Sequence, residues 1–368
     1  MKNVNRTGSL LTNRMSFRAR VTTAMILVAL LPLLVLSLLI LTQAQRTVLQ
    51  TIGDSFASQA HTALDTLMER INDAVNQTEL LTVNPAVEQL VVLRPTQAMN
   101  AHGLTQDMSV DEMEQLMDET RNLAANARTQ AFLEDVVADF PIFAELLVTN
   151  MEGWTLAATS RPERFVLRDE AWFQQALDSG LYVSDIQYLS SIDEMGLIIA
   201  APILRAATGQ PIGMMRGLVA LSEISKALIP VAQGIPGGEL QLLSRGKPVA
   251  TVRERNGEVT VALHGADEAA PAAIGLPEGM DGWGMGRSID GTEAVVTSLQ
   301  ASEEDQTVKL DWELRIAQPT HYALAPINRV KTLSYTIIVL ALITSAVVAA
   351  LVTSRLARPI RQIADHAR

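Results

Sequence analysis

The sequence contains no cysteine. A disulfide framework and a thiolate metal site are both excluded. Its five histidines, at 61, 102, 264, 321 and 366, are scattered, and none pairs at i, i+4. No zinc or metalloprotease spacing exists. There is no G-x-S-x-G elbow and no Walker loop. GWGMG at 282–286 lacks the lysine and the following helix that would cradle phosphates. His366 has no kinase catalytic core around it. Carboxylates abound, but none is singled out as an acid–base pair. The sequence therefore offers no catalytic residue, no metal ligand and no cofactor site.

Charge is missing from two long stretches. Val21–Thr42 and Thr332–Ser354 hold no Asp, Glu, Lys or Arg. Each is long enough to span a hydrocarbon core of about 30 Å at 1.5 Å per residue. Lys2, Arg6, Arg14, Arg18 and Arg20 precede the first; Arg355, Arg358 and Arg361 follow the second. Basic flanks keep both ends in the cytoplasm. The competing reading of the first stretch is a cleaved signal peptide; the run is too long, and no small-residue cleavage pattern is clear. The net charge of −11 disfavours a nucleic-acid partner. It is also segregated: residues 1–20 carry +5 and residues 354–368 carry +3, so the remainder carries −19. Two basic ends around an acidic middle suit a membrane protein with a large external segment, 43–331. Ala341, Ser345 and Ala349 form a row of small residues that would let two spans approach closely.

What lies between the spans is patterned. Val48, Ile52, Phe56, Ala63, Leu67, Ile71 and Val75 recur at spacings of four or seven, which predicts one long helix over Gln43–Leu81 with an apolar stripe. Asn84-Pro85 and Arg94-Pro95 interrupt helical stretches. Ser109–Glu112 is a capping box ahead of a helix predicted to reach Phe140. Met108, Met113 and Met117 read as helix-face packing. Leu146–Thr149 and Trp154–Thr159 flank Met151-Glu152-Gly153, a hairpin signal. Asp169–Asp178 has helical spacing and ends at Gly180. Strand-like runs follow in YVSDIQ, GLIIAAPIL and PIGMMRGLVA. Pro230–Gly238 reads as a linker. Six further strands are predicted at 239–243, 248–252, 258–263, 282–289, 292–299 and 309–317. Trp283 and Trp312 are expected as core aromatics. Thr320–Lys331 is expected to be helical.

The order VTNMEG, DEAWF, AAPI, PIGMMRG, SEI between residues 148 and 224 resembles the PAS-like unit of a Cache sensor domain. The strands after 238 resemble, by position and rhythm, the membrane-proximal unit of a double Cache domain. SRLARPIRQIADHAR at the end resembles the opening of a HAMP domain. The resemblance implies an α+β fold: a long N-terminal helix with two PAS-like antiparallel-sheet modules, flanked by two transmembrane helices. The expected divisions are a cytoplasmic N-terminus at 1–20, a span at 21–42, and an extracytoplasmic sensor at 43–331. Within the sensor, 43–140 is the helical part, 141–229 the membrane-distal module and 238–319 the membrane-proximal module. A second span at 332–354 and the start of HAMP at 355–368 complete the chain.

Receptors of this kind bind a small molecule outside the cell. They relay the event through the second span to a histidine kinase, chemotaxis or cyclic-dinucleotide output, expected beyond residue 368. The location would be the inner (plasma) membrane, with the sensor in the periplasm or outside the cell. A parallel homodimer is expected, because HAMP helices need a partner chain and the Gln43–Leu81 stripe is longer than one module can cover. The alternative reading is a membrane-anchored extracytoplasmic enzyme.

The ligand is expected between the 169–178 helix and the strands at 182–188 and 198–204. Trp172 would be a wall, and Phe173 follows where many amino-acid-binding relatives carry Tyr. Glu170 stands where those relatives carry a carboxylate-binding Arg, and Leu218 lies near their ammonium-binding Asp. These departures argue against an α-amino acid. Arg164 or Arg168 would supply a cation for an anionic ligand. Tyr182, Asp185, Tyr188 and Asp193 are the polar candidates.

Overall fold

The structure is a computed structural model. It describes residues 17–93, 103–105, 107–117, 127–265, 271–280, 282–301 and 310–366. The chain divides into two units: residues up to Ile52 together with those from His321 onward, and Gly53–Thr320.

The first unit is helical. Helix α1 (Phe17–Thr82) begins here and runs unbroken through Pro32. Leu27, Leu31, Leu34, Leu38 and Ile40 on it are exposed. The final helix, Ala325–His366, exposes Leu333, Leu340, Ile343 and Leu351 in the same way. Helices apolar all round need a non-aqueous surrounding or a partner. Lys331–Val348 is long and apolar enough to cross a membrane. The final helix runs without a break through Arg358-Pro359 to His366.

In the second unit the rest of α1 buries Phe56, Ala63, Leu67, Ile71 and Val75. The predicted stripe over these positions is therefore covered within the chain. Val48 and Ile52, at the start of the stripe, are half-buried. Helix α2 (Pro85–Leu93) starts on a proline, which suits the first turn. Asn84 Oδ1 accepts from the Ala86 N–H at 2.8 Å, satisfying one orphan donor. Helix α3 (Val110–Met117) carries the expected capping box: Ser109 N–H donates to Glu112 at 2.9 Å and Glu112 N–H to Ser109 Oγ at 3.3 Å. Met113 and Met117 are buried, as face packing requires. Helix α4 (Ala127–Asp139) follows; residues 118–126, part of the predicted continuous helix, lie outside the described residues.

The first sheet contains β1 (Phe143–Asn150), β2 (Thr155–Ala158), β3 (Tyr182–Val183), β4 (Gln187–Leu189), β5 (Glu194–Leu204) and β6 (Pro211–Ala220). It is antiparallel, in the order β2-β1-β6-β5-β3, with β4 also on β5. The YVSDIQ run splits into β3 and the start of β4. Gly153 turns the β1–β2 connection at φ 82°, and a Cβ there would meet Arg168 N at 2.4 Å. Helix α5 (Ala171–Ser179) crosses the sheet and stops at Gly180 in the left-handed region. Helix α6 (Leu221–Ser225) follows β6. The predicted linker at 230–238 is partly helical, because Pro230 falls in the first turn of α7 (Ile229–Gln233), where its missing N–H costs nothing.

The second sheet contains β7 (Glu239–Ser244), β8 (Lys247–Arg255), β9 (Glu258–Leu263), β10 (Trp283–Arg287), β11 (Glu293–Gln300) and β12 (Trp312–Pro319). Its order is β10-β11-β12-β7-β8-β9, again antiparallel. The β7–β8 hairpin turns on Arg245 and Gly246, both at positive φ, as a tight two-residue turn demands. Leu240, Leu242, Val252, Leu314 and Ile316 form its buried side. Trp312 is core, but Trp283 is only half-buried and contacts α1. After β12 the chain passes directly into a short helix, α8 (Thr320–Ala323), and then into α9, the final helix. The fold class is α+β, with a long N-terminal helix and two antiparallel-sheet modules, as the sequence implied.

Candidate functional site

The first sheet and α5 share an apolar cluster of Leu147, Ala158, Leu167, Trp172, Phe173, Ala176, Ala200 and Met214. Consecutive helix positions put Trp172 and Phe173 edge to face, with ring centroids 5.6 Å apart. Beside this cluster lies a cavity of about 170 Å³. One wall is the 163–170 loop with Glu163, Arg164 and Glu170. Trp172 forms the base of α5, and Tyr188 and Ser190 come from β4 and the turn after it. Ile198 of β5 and Arg216 and Leu218 of β6 form the floor.

Two buried opposite charges sit at that floor. Glu145 on β1 is fully buried and Arg216 on β6 is 8 % exposed. Leu147 faces Arg216 and Leu218 faces Glu145 in the β1–β6 register, so the two charges are diagonal neighbours. Arg216 Nη2 donates to Glu145, and the Ser160 hydroxyl donates to the other carboxylate oxygen. The Arg216 guanidinium lies 5.3 Å from the Trp172 ring centroid, a cation–π distance. Its Nε has no hydrogen-bond partner.

The loop wall is held by a second ion cluster. Arg164 donates to Asp169 and to Glu170, each at 3.1 Å. The bond from Arg164 holds the Asp169 carboxyl below the usual carboxylate range and raises the Arg164 guanidinium further. Glu114 of α3 accepts the Phe165 and Val166 N–H groups at 2.9 and 2.7 Å. That docks α3 on the loop carrying Glu163 and Arg164. Tyr188 donates its phenol proton to Asp193, and this bond raises the Tyr188 phenol above its ordinary value. Asp193 occupies the left-handed region at φ 53°.

Of the residues expected from sequence, Arg164, Trp172 and Tyr188 line the cavity. Asp193 reaches it only through Tyr188. Phe173 is buried in the core cluster, and Tyr182 packs partly buried against it. Burial, and next the charge of Asp185, raise the Tyr182 phenol. Asp185 forms an ion pair with Arg245 of the second module. Arg168 does not line the cavity; its carbonyl accepts from Gln174 Nε2 at 2.8 Å. Glu145 and Arg216 were not anticipated. The signal was present: each is a lone charge inside an apolar strand, FAELLV and MMRGLV. A second, more open depression of about 590 Å³ lies in the other module, between Pro277, Met285, Arg287 and Glu293, with no aromatic side chain on its walls. Among the described residues no group of three or more His, Asp or Glu is placed to hold a metal ion.

Solved structures similar to this chain include the ligand-binding domain of the Pseudomonas fluorescens chemoreceptor CtaA in complex with L-serine. That likeness has 13 % identity and TM-score 0.46, and covers 74 % of this chain and 98 % of that one. The ligand-binding domain of the Pseudomonas aeruginosa PAO1 chemoreceptor PctB in complex with L-Arg has 17 % identity and TM-score 0.46, covering 79 % and 98 %. The sensor domain of the V. cholerae histidine kinase DctB has 14 % identity and TM-score 0.43, covering 72 % and 97 %. No family model and no curated protein matches the sequence.

Proposed function

We propose that this chain is the input part of a transmembrane receptor that senses a small molecule through its first sheet module. The observation that carries the reading is the cavity at which Trp172, Arg164, Tyr188 and Arg216 converge from four separate elements. A concave site with an aromatic wall and a few converging polar groups is what a small-molecule site requires. The exposed apolar faces at both ends supply the membrane anchor. Residues 1–20 and 355–368 lie in the cytoplasm, 21–42 and 332–354 span the inner membrane, and 43–331 is the external sensor. Within it, 141–229 is the membrane-distal module and 238–319 the membrane-proximal one.

Binding acts by favouring one of two arrangements of the sensor. The second span carries the shift to a HAMP-type helix and a cytoplasmic output partner. The receptor works as a homodimer; with the α1 stripe covered from Phe56 to Val75, its support is the small-residue row on the second span. Two measurements test the reading. Reporters fused after residues 150 and 250 should read as external. The full chain in lipid nanodiscs should be thermally stabilised by at least one small molecule, and Trp172→Phe should weaken that effect. Cytoplasmic reporter activity at either fusion would end the receptor reading.

A further inference from the structure

We infer that the second module contains a binding site for an extended peptide, and that the chain fills it with its own residues 272–275. The ligand class is a short apolar segment with a branched anchor side chain followed by glycine. The inference does not depend on where a small molecule binds in the first module.

The receiving surface is one face of the second sheet. Strand alternation and register put Ala294 and Val296 of β11, Arg315 and Ala317 of β12 and Gln241 of β7 on that face. Ile274 is fully buried against Ala294, Val296 and Ala317, although Ala272 and Ala273 before it are exposed. Two alanines in the floor leave the room that the isoleucine fills. Gly286 of β10 lies on the same face, and a Cβ there would come within 2.1 Å of the Gly275 carbonyl oxygen.

The backbone of the segment is read on both edges. Gln241, itself fully buried, commits its whole amide to it. Nε2 donates to the Ala272 carbonyl at 3.1 Å, and Oε1 accepts from the Ile274 N–H at 2.8 Å. Arg315 Nη1 donates to the Ile274 carbonyl at 2.9 Å. Glu313 holds the other side of that guanidinium through Nε and Nη2, which aims Nη1 at the segment. On the opposite edge Gly275 exchanges both backbone bonds with Arg287 of β10, each at 2.9 Å. Successive residues of an extended chain turn their N–H and C=O groups to opposite edges, as Ile274 and Gly275 do. A connection that merely crosses the surface would leave these groups to water. Pairing at a sheet edge, side-chain readers and one pocketed anchor are how a sheet takes up a peptide. The tether sets the affinity a free copy needs. A segment joined to its own site acts at an effective concentration on the order of millimolar. A free peptide must reach that range to compete, and binds readily only where the tethered copy has lost its anchor.

The test uses the full chain in nanodiscs and its thermal unfolding. The probes are the capped peptide Ala-Ala-Ile-Gly-Leu-Pro, which copies residues 272–277, and the same peptide with Asp in place of Ile. Ile274→Asp releases the tethered segment and should lower Tm. The Ile peptide at millimolar concentration should recover half of that loss or more, and the Asp peptide none. The natural chain should shift less than the variant. Adding Gln241→Leu to Ile274→Asp should abolish the recovery. If Ile274→Asp does not fold, Ile274→Ala takes its place under the same criteria. An unchanged Tm in the variant means that the segment is not held and overturns the inference. A lowered Tm that the Ile peptide fails to recover to that extent makes the segment an integral part of the module's core and overturns the site. So does equal recovery with both peptides, an equal shift of the natural chain, or recovery that survives Gln241→Leu.

Discussion

The indole Nε1 of Trp283, on the first strand after the long loop of the second module, donates to Asp54 Oδ1 at 3.1 Å. The ring lies over Gly53, where a Cβ would come within 2.0 Å of it. The missing side chain at Gly53 is thus what seats Trp283 on helix α1. Ala is normally preferred to Gly inside a helix by about 1 kcal/mol. Here the sign should invert. Gly53→Ala should lower the unfolding temperature of the natural protein and raise it in a Trp283→Ala background. A stabilising effect in both backgrounds would show that Trp283 does not sit on Gly53.

The Glu145–Arg216 pair predicts a steep asymmetry. Glu145→Ala leaves a guanidinium buried without its counter-ion, a loss of about 3–5 kcal/mol. Arg216→Lys retains the charge and should cost less. Denaturant unfolding of both variants checks the order; equal losses would mean that the pair is not buried as described.

Phe173 is buried in the cluster under α5, so Phe173→Ala should destabilise by about 3–5 kcal/mol through cavity formation. Trp172 is itself only 4 % exposed. Trp172→Ala therefore confounds folding with binding, and Trp172→Phe is the usable probe. A thermal shift of Phe173→Ala close to zero would place that ring outside the core.

Glu313 sets a pH dependence. Burial pushes its carboxyl up, but the bonds from Arg315 and Ser298 outweigh that and leave it below the ordinary value. A depressed carboxyl contributes stability that is full above the unfolded value, about 4.3, and is lost as pH falls through the folded value. Arg315→Gln should therefore be less stable than the natural protein at pH 7, with the gap narrowing below about pH 4. Denaturation at both pH values measures it; a gap that stays constant would remove Glu313 as the titrating group.

Asp185 bonds Arg245 across the two modules rather than facing the cavity. The arginine side chain is largely exposed, so the pair should be worth no more than about 1 kcal/mol and should fade in high salt. Arg245→Ala measured at low and high ionic strength tests this. A large, salt-independent loss would mean the modules depend on that contact.

Local chemistry made much of the chain readable. The capping box at Ser109 and Glu112, the glycine stop at Gly180 and the strand runs of the second sheet all act over a few residues. Each has a nearly unique local solution, and each appears at or near its expected place. Failures came where a local signal had to predict a distant partner. Pro230 looked like a linker residue, yet proline fits a first helical turn equally well. Trp283 looked like core, yet its place depends on Gly53, more than two hundred residues earlier.

The site divides along the same line. Sequence by itself determined the span-like runs, the helix bearing Trp172, and a candidate list drawn from residues near it in the chain. Only the tertiary structure decided which candidates share a cavity. Arg164, Trp172 and Tyr188 converge, while Phe173 turns into the core and Asp185 turns to the other module. It also brought Arg216 to Glu145 across the β1–β6 register, 71 residues apart in the chain. A strand pattern says that a side chain is on one face or the other. Which charge waits on the neighbouring strand is set by register, and register is fixed only when the whole sheet packs.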